Sequence, residues 1–259
     1  MTRPRILLIN PNTSGAATDR MLALARAAAG DKAHVRGVTA PFGARTIVSG
    51  AEAAIAAHAV LVAAARHLDR VDAVIDAAFI DPGLEALRDL AGKPCVGLCE
   101  AAMLEAAEGG RRFGVATGGA HLDTSLRGLA ARYGVADRLV DIAFLEAPLG
   151  AVAGNPEAYL RAFQTAVERL AKQGARAVLI GGGPLSGIAG QLKPPRGVAI
   201  VDGIQAAVRR AIALLGQPVP PAQPGNGRYR AVDPDLVRLL KQKPRRTSRA
   251  GLRFDAEGR

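Results

Sequence analysis

The sequence predicts an α/β protein built as two lobes, each a parallel sheet covered by helices. Three observations carry that expectation. Short apolar runs alternate with longer segments whose apolar residues recur every three or four positions, the pattern of strands and amphipathic helices in turn. The alternation runs through the first hundred residues and then repeats. In both halves the strands lead into Gly- or Asp-rich loops, and ligands of parallel sheets bind outside the carboxyl ends of the strands.

The elements follow in order. RILLIN (5–10) is a strand, and SGAATDRMLALARAAAG is a helix that stops at Gly30. AHVRGVTA is a second strand, residues 51–69 an Ala-rich helix, and VDAVIDAAF the third strand. LEALRDLAG is a helix, CVGLCE a strand or strand end, and AAMLEAAEGG a helix closed by glycines. The second round starts with RRFGVATGG as a strand and HLDTSLRGLAARYG as a helix ending at Gly134. RLVDIAFLEA is a strand, PEAYLRAFQTAVERLAKQG a long helix, and ARAVLIGGG a strand. GVAIVDG is the last strand, and IQAAVRRAIALLG closes the body. The expected division is residues 1–100 with 201–216 as the first lobe, 101–200 as the second, and 217–259 as a flexible basic tail.

Composition narrows the class. Of 259 residues 49% are hydrophobic, only 3% are aromatic and none is Trp, so Ala, Leu, Val and Ile must build the core. No apolar stretch approaches the length of a membrane span, and no charged-then-apolar leader opens the chain, so a cytoplasmic protein without membrane contact is expected. The net charge of +11 is unevenly spread: residues 225–259 hold ten basic and four acidic residues, a surplus of six. PVPPAQPGNG, from Pro218, reads as a linker to that tail, in which VDPDLVRLLKQKPRR is expected to form one short helical turn or two. Nucleic-acid contact by the tail is the lesser reading against a solvated extension.

Cys95 and Cys99 are the two cysteines, and a lone C-x₃-C pair is a poor zinc signature. The four histidines show no metal-ligand spacing. The residues call for no cofactor, although they do not exclude a divalent metal. A small-molecule substrate and a homo-oligomer are expected.

Four strand-end loops carry polar or glycine-rich sequence: INPNTSG (9–15), AAFIDPG (77–83), VATGGAH (115–121) and LIGGGPLSG (179–187). In the first, Asn10 and Asn12 flank Pro11, and Thr13 and Ser14 precede a helix whose N-terminal amides suit an anion. The glycine loops match neither the dinucleotide spacing G-x-G-x-x-G nor the G-K-[ST] of a nucleotide-phosphate loop. Nucleotide binding has little support.

Together these loops are more specific. INPNTS after the first strand, A-x-F-x-DPG-L-E, PxVGxxEAAM, VATGG and the late G-V-A-I-V-D-G resemble the aspartate/glutamate/hydantoin racemase superfamily, its hydantoin racemase branch above all. The similarity covers roughly residues 5–215. It implies two pseudo-symmetric Rossmann-like lobes with an active-site cleft between them and cofactor-free proton transfer by two cysteines on opposite sides of the substrate's α-carbon. It also implies that backbone amides and small polar groups hold the substrate: Asn10, Asn12, Thr13, Ser14, Phe79, Ile80, Asp81, Thr117, Gly118, Gly182 and Gly183 here. Laid on that pattern, the thiol positions are Ala78 and Gly182, neither of which carries a proton. Cys95 and Cys99 fall outside both.

Oxygen or nitrogen groups must then do the chemistry. Asp76 sits within an apolar strand two residues before Ala78, so both should face the same way, and an unpaired acid there would be costly and raised in pKa. Against this stands a structural reading, in which Asp76 is paired with a neighbour. Asp81 and Glu100 are alternative acids, His121 lies at a helix start, and Ser186 is a hydroxyl beside the second vacated position. The reading preferred on sequence is a hydrolase or lyase acting on a hydantoin-like or thiohydantoin-like ring or a carboxylic acid. An isomerase with one carboxylate base and a catalytically silent binder are its alternatives.

Overall fold

A computed structural model describes residues 3–118, 120–145, 156–181, 187–223, 225 and 227–241. Its first four strands are β1 (Arg5–Asn10), β2 (His34–Thr39), β3 (Ala73–Asp76) and β4 (Cys95–Gly97), and its second four are β5 (Phe113–Gly118), β6 (Leu139–Leu145), β7 (Ala177–Ile180) and β8 (Ala199–Asp202). They form two parallel four-stranded sheets, ordered β2-β1-β3-β4 and β6-β5-β7-β8. The order is the same in both sheets, which is the internal repeat expected from the sequence.

Among the described residues eight α-helices connect and cover the strands: α1 (Gly15–Ala29), α2 (Gly50–Ala65), α3 (Leu84–Ala91), α4 (Leu98–Ala106), α5 (Asp123–Arg132), α6 (Pro156–Lys172), α7 (Gly203–Leu214) and α8 (Pro234–Leu240). Local chemistry sets their ends. Ser14 caps α1, and Gly30 stops it at φ 53°. Ser49 and Glu52 form a reciprocal capping box on α2, and Asp202 caps α7.

A continuous core lies between the sheets. It joins Ile6, Leu8 and Ile75 of the first sheet to Val115, Leu179 and Val201 of the second through residues of α1, α4, α5 and α7. Outside, α2 and α3 close the first sheet around Leu7, Ile9, Val60 and Leu87, and α6 closes the second around Phe163, Val167 and Leu170. The strand β8 belongs to the second sheet, whereas α7, directly after it, packs on α1, β3 and β4 of the first lobe.

Three expectations are corrected. The third strand ends at Asp76 rather than running to Phe79, because the chain turns at Ala78, whose carbonyl accepts a hydrogen bond from the Asp81 amide (3.0 Å). CVGLCE is not one strand: α4 begins at Leu98, so Cys99 and Glu100 are helical. The segment from residue 217 is not free as far as 241. Its helix α8, with Pro234 in the first turn and Asp233 as cap, buries Leu236 against Val62 and Leu90. Arg66 pairs with Asp233 at 2.8 Å, and the Gln223 amide donates to the Asp89 carbonyl at 2.6 Å. Residues 242–259 lie outside the described residues.

Candidate active site at the strand ends

The carboxyl ends of β1, β3, β5 and β7 carry the polar loops, and one contact brings the lobes together there while a second fixes the β7 end within its own sheet. Phe79, on the turn after β3, lies against Gly181, just past β7. A methyl group on Gly181 would overlap its ring, so only glycine admits the aromatic. Thr117, at the end of β5, donates its hydroxyl to the Gly181 carbonyl at 3.0 Å, fixing the β7 end from the other side. Ala78 immediately precedes Phe79, and Gly182 immediately follows Gly181. Gly182, Gly183 and Ser186 lie outside the described residues, as does the chain between 146 and 155.

The loop after β1 is a hydrogen-bonded knot. The Asn10 side-chain amide donates towards Asn12 Oδ1 (2.9 Å), Thr18 Oγ1 (3.0 Å) and the Ser14 carbonyl (3.1 Å), and its oxygen accepts from the Asn12 amide (3.2 Å). Asn10 is fully buried, and these bonds make it the residue that holds the loop in shape. Asn12 Oδ1 also accepts from the Ser14 amide at 2.9 Å, while its Nδ2 makes no hydrogen bond among the described residues. The Ser14 hydroxyl accepts from the Ala17 amide at 3.3 Å, and the Thr13 amide donates to the Ala44 carbonyl at 3.0 Å. Of these four residues, Asn12, Thr13 and Ser14 retain donors for a ligand.

Asp81 is likewise structural. It has a positive φ of 45°, and its carboxylate accepts from the Cys99 and Glu100 amides (2.8 Å each), capping α4, and from the Tyr133 hydroxyl (2.7 Å). Gly97 leaves room for it, since a methyl group there would overlap the carboxyl group. Burial pushes Asp81 up to about 7, against the opposing effect of its three donors. Its carboxyl group thus caps α4 and bonds to the residue that follows α5. Glu100 pairs with Arg88 at 2.7 Å on the same helix end.

Asp76 behaves differently. It is wholly buried, and neither carboxyl oxygen has a hydrogen-bond partner among the described residues. Its neighbours in register are Ile9 on β1 and Gly97 on β4. Burial raises its pKa well above the usual carboxylate value, and the nearby Asp81 charge adds to the rise. Among the described residues the paired alternative finds no partner, and Asp76 stands as an isolated carboxyl group at the end of β3.

The remaining candidates are dispersed. Ile80 and Ala78 are half-buried, Gly118 is buried at the end of β5, and His121 is exposed in a short turn before α5. Both thiols are buried: Cys95 points towards the Lys93 and Leu87 carbonyls, and Cys99 lies in the core between the sheets. Burial pushes Cys95 up to about 12 and raises Cys99 as well, so neither is disposed to ionise. No group of three or more His, Cys, Asp or Glu is placed to hold a metal among the described residues. No described helix is long and apolar enough to cross a membrane. Sequence reasoning missed Tyr133 and Thr18, which organise the Asp81 and Asn10 loops. Thr18 sits one helical turn after the cap Ser14, a spacing that could have flagged it, whereas Tyr133 lies 52 residues from Asp81 with no local signal.

Comparison with known proteins fits this geometry. The chain is 31% identical over 213 residues to a hydantoin racemase of Rhizobium meliloti, covering 82% of this chain and 88% of that protein. It is 28% identical over 214 residues to a hydantoin racemase of Paenarthrobacter aurescens, covering 82% and 91%. Among solved structures, allantoin racemase from Klebsiella pneumoniae superposes with a TM-score of 0.78 at 29% identity, covering 96% of each chain. Allantoin racemase from Pseudomonas fluorescens gives 0.77 at 28%, covering 81% of this chain and 90% of that one. The Asp/Glu/Hydantoin racemase family profile matches residues 6–211, and with its two like-ordered sheets the chain belongs to that family.

Proposed function

We propose that this protein is an isomerase that inverts the acidic ring carbon of a 5-substituted hydantoin, with the Asp76 carboxyl group as its proton-transfer group. Hydantoin and allantoin share a five-membered ring whose C5 proton is acidified by the adjacent carbonyl. Removing it to the carboxylate gives a planar enolate, and a proton delivered from water to the other face inverts the centre, the abstracted proton then passing from the carboxyl group to solvent. The hydrolytic or lyase chemistry preferred on sequence draws no support from the relatives, whose names are those of racemases.

The observation that carries the reading is the isolated Asp76 carboxyl group, buried without a partner two residues before Ala78. A fold does not keep an unsatisfied buried acid without cost, about 1–3 kcal/mol for the missing hydrogen bonds alone. Its raised pKa makes the ionised form a stronger base, able to take the C5 proton directly or through one water. Donors of Asn12, Thr13, Ser14 and the glycine loops would steady the enolate oxygen.

The test is C5 deuterium exchange and loss of optical rotation on a panel of 5-substituted hydantoins that includes allantoin. Wild-type protein should exchange and racemise, and Asp76→Asn should lose at least about a hundredfold in rate. Undiminished exchange in that variant removes Asp76 from the mechanism. Ring opening without exchange would restore the hydrolytic reading, and binding without turnover would mark a silent binder. The latter reading has one observation behind it, the complete enclosure of Asp76.

A further inference from the structure

At the opposite edge of the second sheet, Lys172, Arg176, Lys193 and Arg196 line a cavity of about 450 Å³ together with Ala171, Pro195, Val198 and one acid, Glu168. They come from three segments: the last turn of α6, the residue before β7, and the stretch leading into β8. All lie at the amino ends of the strands, so the length of β7 separates them from Gly181, roughly 15 Å.

None of the four basic side chains makes an ion pair or hydrogen bond among the described residues, although most other arginines of the second lobe are paired, as Arg127 and Arg169 are with Asp141. The cavity wall is held in place. Gln164 of α6 donates its side-chain amide to the Lys193 carbonyl (2.8 Å) and accepts from the Lys193 amide (3.0 Å), and it also bonds Glu168 at 2.9 Å. The single acid is therefore engaged, and the lining carries a surplus of three positive charges. Arg112, just before β5, extends over Gly174 beside it and adds a fifth cation to this edge.

We propose that this cavity binds a small polyanion carrying two or more phosphate groups. Two guanidinium forks and two ammonium groups match adjacent phosphates better than one carboxylate. A chain of net charge +11 repels its own copy through such a face. The lining has no aromatic residue on which a base would stack, so the phosphates rather than a nucleoside are what is recognised. The inference does not depend on the isomerase reading.

Isothermal titration of the full chain with inorganic pyrophosphate and triphosphate at low ionic strength tests it. Saturable one-to-one binding is expected, weakened at least tenfold in Lys193→Gln/Arg196→Gln and likewise in Arg176→Gln. Binding unchanged in both variants would assign the anion to the C-terminal basic residues or the strand-end loops and overturn the proposal. So would the absence of saturable binding at millimolar pyrophosphate. Capture of single-stranded RNA that pyrophosphate neither mimics nor displaces would make the face a nucleic-acid surface and overturn it too.

Discussion

Replacing Asp76 should stabilise this protein, and the way the gain varies with pH should reveal its origin. Two costs attach to the residue. The first is the loss of hydrogen bonds by two buried oxygens, about 1–3 kcal/mol, present at any pH. The second is proton linkage. In the unfolded chain Asp76 ionises from its ordinary value of 3.8, whereas in the folded chain burial keeps it protonated well above that. A raised folded pKa means that stability is greatest below 3.8 and is lost as pH rises, by about 1.4 kcal/mol per pH unit, until the folded group ionises. Asp76→Asn keeps the size and the unsatisfied polar atoms but cannot titrate, so its gain should be near zero at pH 4 and grow towards pH 7. Asp76→Leu keeps the branching at Cγ and removes the polar atoms as well, so it should add a pH-independent increment of about 1–3 kcal/mol. Urea unfolding of the three proteins at several pH values between 4 and 7 measures both. A gain that does not change with pH, or a loss in both variants, would refute the account of Asp76 as an isolated, protonated acid.

Other outcomes follow from the contacts between the lobes and from the C-terminal helix. Gly181→Ala should displace the Phe79 ring and destabilise the fold by about 2 kcal/mol, with Phe79→Leu recovering part of the loss in a double-mutant cycle. Tyr133→Phe removes a donor that favours ionised Asp81. It should therefore cost about 1–3 kcal/mol and cost more above pH 7 than below, read from urea midpoints at pH 5.5 and 8. Leu236→Ala should cost about 2 kcal/mol and expose α8 to limited proteolysis while leaving the two sheets intact by circular dichroism.

Much of the architecture was legible because periodicity reports burial. The strand at residues 5–10 and the helices that end at Gly30 and Gly134 stand close to where their patterns place them. The errors fall where tertiary contacts decide. AVID continues smoothly into AAF, and only the hydrogen bond from Asp81 back to Ala78 ends the strand early. CVGLCE has the apolar content of a strand, yet Asp81, distant in sequence, caps the helix that begins within it. The short helix within VDPDLVRLL was legible from its pattern, but that Leu236 packs on Val62 and Leu90 was not, since those partners lie in helices far along the chain. The site was partly legible. Asp76 stood out as an acid in an apolar run, but whether it had a partner was a question about what the strands holding Ile9 and Gly97 bring beside it. Asn10 and Asp81 tie loops in the fold, a role that sequence alone does not separate from a ligand contact because the same side-chain chemistry serves both.

The chain passes between its halves at α4 and again at α7, and the first residues of these two helices touch: Leu98 lies against Gly203, where a side chain would strike it. Both crossings are thus pinned at one point inside the shared core. Separate opening of the halves would have to break buried packing, so any breathing must turn about that pin. The pin stands directly after the carboxyl ends of β4 and β8, on the same side of the sheets as the polar loops, so it braces that side of the molecule.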